Sequence, residues 1–156
     1  MYADFSFARM IRHLENGAPL TRPDGVPSEE HMRHVLEAYV ASIGRSDTSF
    51  ADDHFASQRV FADPVGTQPM TLGDGIESAA VVAQLIDMPT ELTRAELNGP
   101  VSVSLGNQAA VPFKLWLNLD GRDATIDIVD VMTFDGDGRI TDVQAYWGVE
   151  NVTFLN

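Results

Sequence analysis

From Val111 to Trp147 the chain runs through three alternating apolar–polar stretches separated by tight-turn signals, and this pattern leaves the fold little freedom. The first, VPFKLWLNL (111–119), carries Val111, Phe113, Leu115, Leu117 and Leu119 on one side. The last, RITDVQAYW (139–147), carries Val143, Ala145 and Trp147 on one face. Between them lies TIDIVDVMTF (125–134). Successive side chains of a strand point to opposite faces, so each stretch offers one apolar face to a core. Asp120-Gly121 turns the chain once, and the DGDG run at 135–138 turns it again. An antiparallel meander follows, with VSVSL (101–105) as a further alternating run in the strand-rich texture that begins after Pro89.

One residue breaks the apolar face. Ile126, Ile128, Asp130, Met132 and Phe134 share a side, and the only carboxyl group in that row is at its centre. In one reading Asp130 is a buried acid held by an Arg or Lys from the helices. In the other it carries no charge: apolar surroundings raise a carboxyl pKa, and the protonated group donates a hydrogen bond. That donor needs an acceptor, which a ligand oxygen would supply.

The first half of the chain reads as helices. Phe7, Met10, Ile11 and Leu14 give residues 4–16 an amphipathic period, with Asp4 as N-cap and Gly17 as stop. GAPLTRPDGVP (17–27) is a linker without periodicity. Ser28 caps a second helix with Glu29 and Glu30 in its first turn, burying Met32, Val35, Leu36, Tyr39, Val40 and Ile43 and stopping at Gly44. A short helix at about 47–56 and another at about 75–86 complete the set. Helices first and strands second define an α+β domain over 28–156, preceded by a helical extension at 1–27.

Composition narrows the function. The chain has 156 residues, 44% of them hydrophobic, enough for one domain with a real core. Its formal net charge of −13 disfavours nucleic acid and anionic membrane surfaces as partners. The absence of cysteine removes disulfides, thiol nucleophiles and thiolate zinc sites. No apolar run approaches the ~20 residues of a spanning helix, and Asp4, Arg9 and Arg12 interrupt any signal-peptide core. The expectation is a cytoplasmic protein. His31 and His34 lack a visible third ligand, the DGDG run lacks the distal glutamate of a calcium loop, and no nucleotide or serine-hydrolase fingerprint is present. No metal or cofactor is expected.

Tyr39 and Asp63 complete the candidates. A buried tyrosine hydroxyl must find a partner, and Asp63 precedes Pro64, a common turn-initiating position. AYVASI (38–43), FADPVG (61–66), IVDVMTF (128–134) and QAYW (144–147), in this order and near this spacing, resemble the bacterial ketosteroid isomerases of the nuclear transport factor-like superfamily. The resemblance runs from about Ser28 to the C-terminus and implies a curved antiparallel sheet wrapped by three helices into an open cone, usually dimeric through the sheet.

It also implies roles. Tyr39 and a protonated Asp130 form the oxyanion hole, Asp63 shuttles the proton, and Trp147 is the aromatic wall beside the base. Phe113, Met132, Val65 and Phe55 fall at substrate-binding positions. The implied reaction moves the double bond of a 3-keto-Δ5-steroid to Δ4 without a cofactor. Two features depart from the family: Phe55 and Ala80 stand where tyrosines support the catalytic one, and compact members lack an equivalent of residues 1–27. The rival functions are a polyketide cyclase or epoxide hydrolase of the same fold, and a non-catalytic steroid- or lipid-binding module. An Asp-Arg-Asp arrangement would mark the hydrolase, and the row containing Asp130 holds no Arg.

Overall fold

A computed structural model describes residues 6–18, 20, 22–45, 49–73 and 88–156. Helices α1 (Phe7–Asn16), α2 (Glu29–Arg45) and α3 (Ser49–His54) precede strands β1 (Phe55–Ala62), β2 (Met70–Leu72), β3 (Thr90–Leu97), β4 (Ser102–Val103), β5 (Gln108–Leu119), β6 (Arg122–Phe134), β7 (Ile140–Tyr146) and β8 (Val152–Phe154). The helix expected at 75–86 lies outside the described residues, as does Ala80.

The meander is present. β5, β6 and β7 pair antiparallel in sequence, with Val111 opposite Asp130 and Asp130 opposite Ala145. Asp120 (φ 50°) and Gly121 (φ 85°) both take the left-handed conformation, the geometry a two-residue hairpin requires. At the second turn Asp135 Oδ1 accepts from the backbone N–H groups of Asp137 and Arg139, at 2.9 Å each. β3 extends the sheet beyond β5, and the order is β2-β1-β7-β6-β5-β3. The β1–β7 pairing is parallel, the one departure from an antiparallel sheet among these strands.

α2 packs its apolar stripe on this sheet. Met32, Val35, Leu36 and Val40 are buried with Val111, Phe113, Met132, Phe134, Ile140 and Val143, while Tyr39 and Ile43 are partly buried. Ser28 Oγ accepts from the His31 N–H (3.1 Å), as an N-cap does. Gly44 does not stop α2, which continues to Arg45. Its role is close approach, since a Cβ there would lie 3.1 Å from the Ala95 carbonyl oxygen of β3.

Further expectations are corrected. The first helix is capped by Ser6, whose hydroxyl accepts from the Arg9 N–H, so Asp4 is not its N-cap; Gly17 ends it in the left-handed conformation as expected. The helix expected at 47–56 ends at His54, and FASQRVFA (55–62) is strand β1. VSVSL contributes only Ser102–Val103 as strand. No residue of α1 is buried, with Phe7, Ile11 and Leu14 72%, 47% and 74% exposed.

Candidate active site

Tyr39, Asp63 and Asp130 converge although the chain separates them widely. β6 presents Asp130 on the inner face between Ile128 and Met132, 2% exposed. α2 crosses that face and brings in Tyr39, whose ring meets Phe113 of β5 edge-on at 6.2 Å. β1 delivers Asp63 from the far side: its parallel register with β7 sets Ala62 beside Gln144, and Asp63, the next residue, reaches the residues that follow β7. Trp147 Nε1 donates to Asp63 Oδ1 at 2.6 Å. The Asp63–Pro64 peptide bond is cis, and the Val65 N–H donates to the Ala145 carbonyl at 2.8 Å.

The electrostatics assign different states to the two carboxyls. Burial, then the charge of Asp63, hold Asp130 well above the ordinary carboxylate range; a side-chain hydrogen bond with Tyr39 pulls the other way and is outweighed. Burial also raises Asp63, against the lowering effect of the Trp147 hydrogen bond. Asp63 therefore ionises first, and its charge then keeps the proton on Asp130. Tyr39 is held well above its ordinary range by burial, by Asp130, by Asp63 and by its hydrogen bond to Asp130, so it stays a phenol. Asp130 and Tyr39 are thus the groups most strongly held in their neutral forms, with Asp63 raised less than Asp130.

Among the described residues no cation pairs with Asp130, and its Oδ1 finds no hydrogen-bond partner. That excludes, among those residues, the reading in which an Arg or Lys holds the acid. A buried oxygen without a partner costs ~1–3 kcal/mol, a cost that an incoming ligand oxygen, accepting from the protonated acid, would offset.

The other expected residues lie at different depths. Phe113 and Met132 are buried on the inner face at 2% and 0% exposure, and Val65 is 41% exposed in the loop after Asp63. Phe55 is buried against Phe50 and Phe61, with ring centroids at 5.8 and 5.5 Å. The sequence reading missed Arg59. It is 6% exposed, and it alternates with Phe61 and Asp63 along β1. Its guanidinium lies 5.0 Å over the Phe55 ring and donates to the Ala56 carbonyl. It is not among the charges that shift Asp63 or Asp130. Reading residues 55–62 as a strand would have revealed it by parity alone. No group of metal-ligating side chains occurs among the described residues, and no described helix is long and apolar enough to cross a membrane.

The fold is thus α+β, with Tyr39, Asp63 and Asp130 brought together on the helix-covered face of its sheet. Comparison with known proteins agrees. The chain is similar to a steroid Delta-isomerase of Nocardioides simplex, 27% identical over 116 residues that span 74% of this chain and 89% of the relative. Among solved structures it shares the fold of the epoxide hydrolase/cyclase-like enzyme SalBIII, described for its role in pyran ring formation in the polyether salinomycin. The TM-score is 0.62 at 18% identity, covering 82% of this chain and 98% of that one. No family model matches the chain. The resemblance to the steroid isomerases thus agrees with the match in sequence, and the expected fold with the solved structure.

Proposed function

We propose that the chain is a steroid Δ-isomerase that converts 3-keto-Δ5-steroids to their conjugated Δ4 isomers, acting as a homodimer on a small apolar substrate. The observation that carries the reading is the setting of the two carboxyls: Asp130 is buried beside Tyr39 and held well above the ordinary carboxylate range, and Asp63, close to both, is raised less. In this reading the substrate carbonyl oxygen lies between the Tyr39 hydroxyl and the Asp130 carboxyl. Asp63 takes a proton from carbon 4, which the carbonyl acidifies. The electron pair moves onto the oxygen as a dienolate, and the two donors stabilise the growing charge. Asp63 then returns the same proton to carbon 6, regenerating the carboxylate.

The raised pKa of Asp63 suits this work, because a base gains strength as its pKa rises toward the working pH. Trp147 holds one carboxylate oxygen, which fixes the direction of the base. Two observations disfavour the epoxide hydrolase alternative: Arg59 stacks on Phe55, and no arginine is among the groups shifting either carboxyl. A binding module would share the apolar interior but would have no use for a buried carboxylate base. The test is to mix purified protein with 5-androstene-3,17-dione and follow the absorbance of the conjugated enone. Catalysed appearance of the enone is expected, and none above the buffer rate would refute the isomerase reading.

A further inference from the structure

The position of the Tyr39 hydroxyl depends on the tilt of its ring, because the oxygen sits at the far end of the side chain from α2. Two rings set that tilt. Phe113 meets Tyr39 edge-on, with an interplanar angle of 88°. Phe50 of α3 lies against it at 5.6 Å and 58°. Phe50 is 7% exposed and contacts two further rings, His54 at 4.6 Å and Phe55 at 5.8 Å. Phe55 in turn packs on Phe61 and lies under the Arg59 guanidinium. Phe50 therefore joins Tyr39 to an anchored aromatic cluster.

α3 has only six residues, too few to be stable as an isolated helix. It is held from outside: Arg139, at the end of the DGDG turn, donates to the carbonyls of Asp52 (3.1 Å) and Phe55 (3.0 Å). The turn thus fixes the helix, and the helix fixes Phe50.

We propose that Phe50 is a positioning residue that fixes the tilt of the Tyr39 ring, and so aims its hydroxyl at the oxygen shared with Asp130. The proposal rests on the oxyanion-hole role given to Tyr39 above. Phe50 has no polar atom to offer a substrate and acts through the tyrosine alone. A misplacement of ~1 Å at a catalytic group costs on the order of 10²-fold in rate, so losing the ring should lower kcat strongly and leave KM nearly unchanged.

The test compares Phe50→Leu, which keeps apolar bulk and removes the ring plane, with Phe50→Tyr, which restores a ring. Each is made in protein labelled with carbon-13 at the tyrosine ζ position. The chain has three tyrosines, so Tyr39→Phe assigns the signal directly. The expected result for Phe50→Leu is a kcat lower by ~10²-fold, little change in KM, and a shifted or broadened Tyr39 resonance; Phe50→Tyr should recover both rate and resonance. Wild-type kcat with an unmoved Tyr39 signal in Phe50→Leu would overturn the proposal, and so would a lost rate that Phe50→Tyr does not recover. The resonance needs no turnover. If the wild-type protein does not isomerise steroids, the functional reading fails while the resonance still decides whether Phe50 sets the tyrosine.

Discussion

Replacing Asp130 separates its two properties, hydrogen-bond donation and ionisability. Asp130→Asn keeps a donor of nearly the same shape and removes the titrating proton. Asp130→Leu removes the donor and adds bulk between Val111 and Ala145, the residues paired with it on either side. If the protonated acid supplies one of two bonds to the reacting oxygen, Asp130→Leu should lose ~10²–10³-fold in kcat, or ~3–4 kcal/mol of barrier. Asp130→Asn should lose distinctly less.

Stability should move differently. The folded pKa of Asp130 is raised, so its contribution is most favourable below the unfolded carboxylate value and is lost as pH rises through the folded one. Asp130→Asn removes that loss, so its melting temperature should gain on wild type as pH rises from 4 to 8. For Asp130→Leu the gain is opposed by overpacking, which costs ~1–3 kcal/mol. Initial rates of enone formation and melting curves on the three proteins check both expectations. Equal activity of the Asn and Leu variants would refute the donor role. A stability difference between wild type and Asp130→Asn that does not vary with pH would refute the neutral, buried state.

Further outcomes follow from the same site and from the N-terminal helix. Asp63→Asn keeps size and polarity but removes the base; kcat should fall by ~10²–10⁴-fold while binding of a product steroid, measured by fluorescence, stays close to wild type. Because burial raises the Asp63 pKa, kcat/KM should rise with pH through a midpoint above that of an ordinary aspartate, and Trp147→Phe, which removes a lowering hydrogen bond, should move that midpoint higher still. Deleting residues 1–17 should change the melting temperature little, since no residue of α1 is buried, and should leave KM unchanged; a large rise in KM would make the helix part of the steroid-binding apparatus.

The sequence made the second half of the fold legible because that half is regular. In β5, β6 and β7 the apolar period is strict and the turns have residues suited to positive φ, so the faces, and with them the anomaly of Asp130, follow from counting by two. The strands that escaped notice lack this signature. β3 (TELTRAEL) is an edge strand exposed along almost its whole length, with Ala95 turned to α2 in place of a large apolar side chain. β1 carries a buried arginine where an apolar residue would have marked the strand, and its pairing with β7 shifts register between Phe55 and Val60. The same limit applies to the site. Asp130 stands out from its own row, but Asp63 and Tyr39 stand out from nothing nearby. Only the parallel β1–β7 register and the crossing of α2 bring them to it. Their chemistry is likewise nonlocal, because what distinguishes Asp63 from Asp130 is the order in which two buried carboxyls give up their protons. That order depends on burial, which raises both, and on the charge of Asp63, which raises Asp130 further. Burial dominates at both, and Asp130 is the more deeply enclosed, so the proton stays with Asp130. If Asp63 and Asp130 instead shared a single proton equally, Asp63→Asn and Asp130→Asn would shift the pH profile of the remaining carboxyl by the same amount. The asymmetry of their surroundings requires unequal shifts, with Asp130 moving down when Asp63 no longer carries a charge.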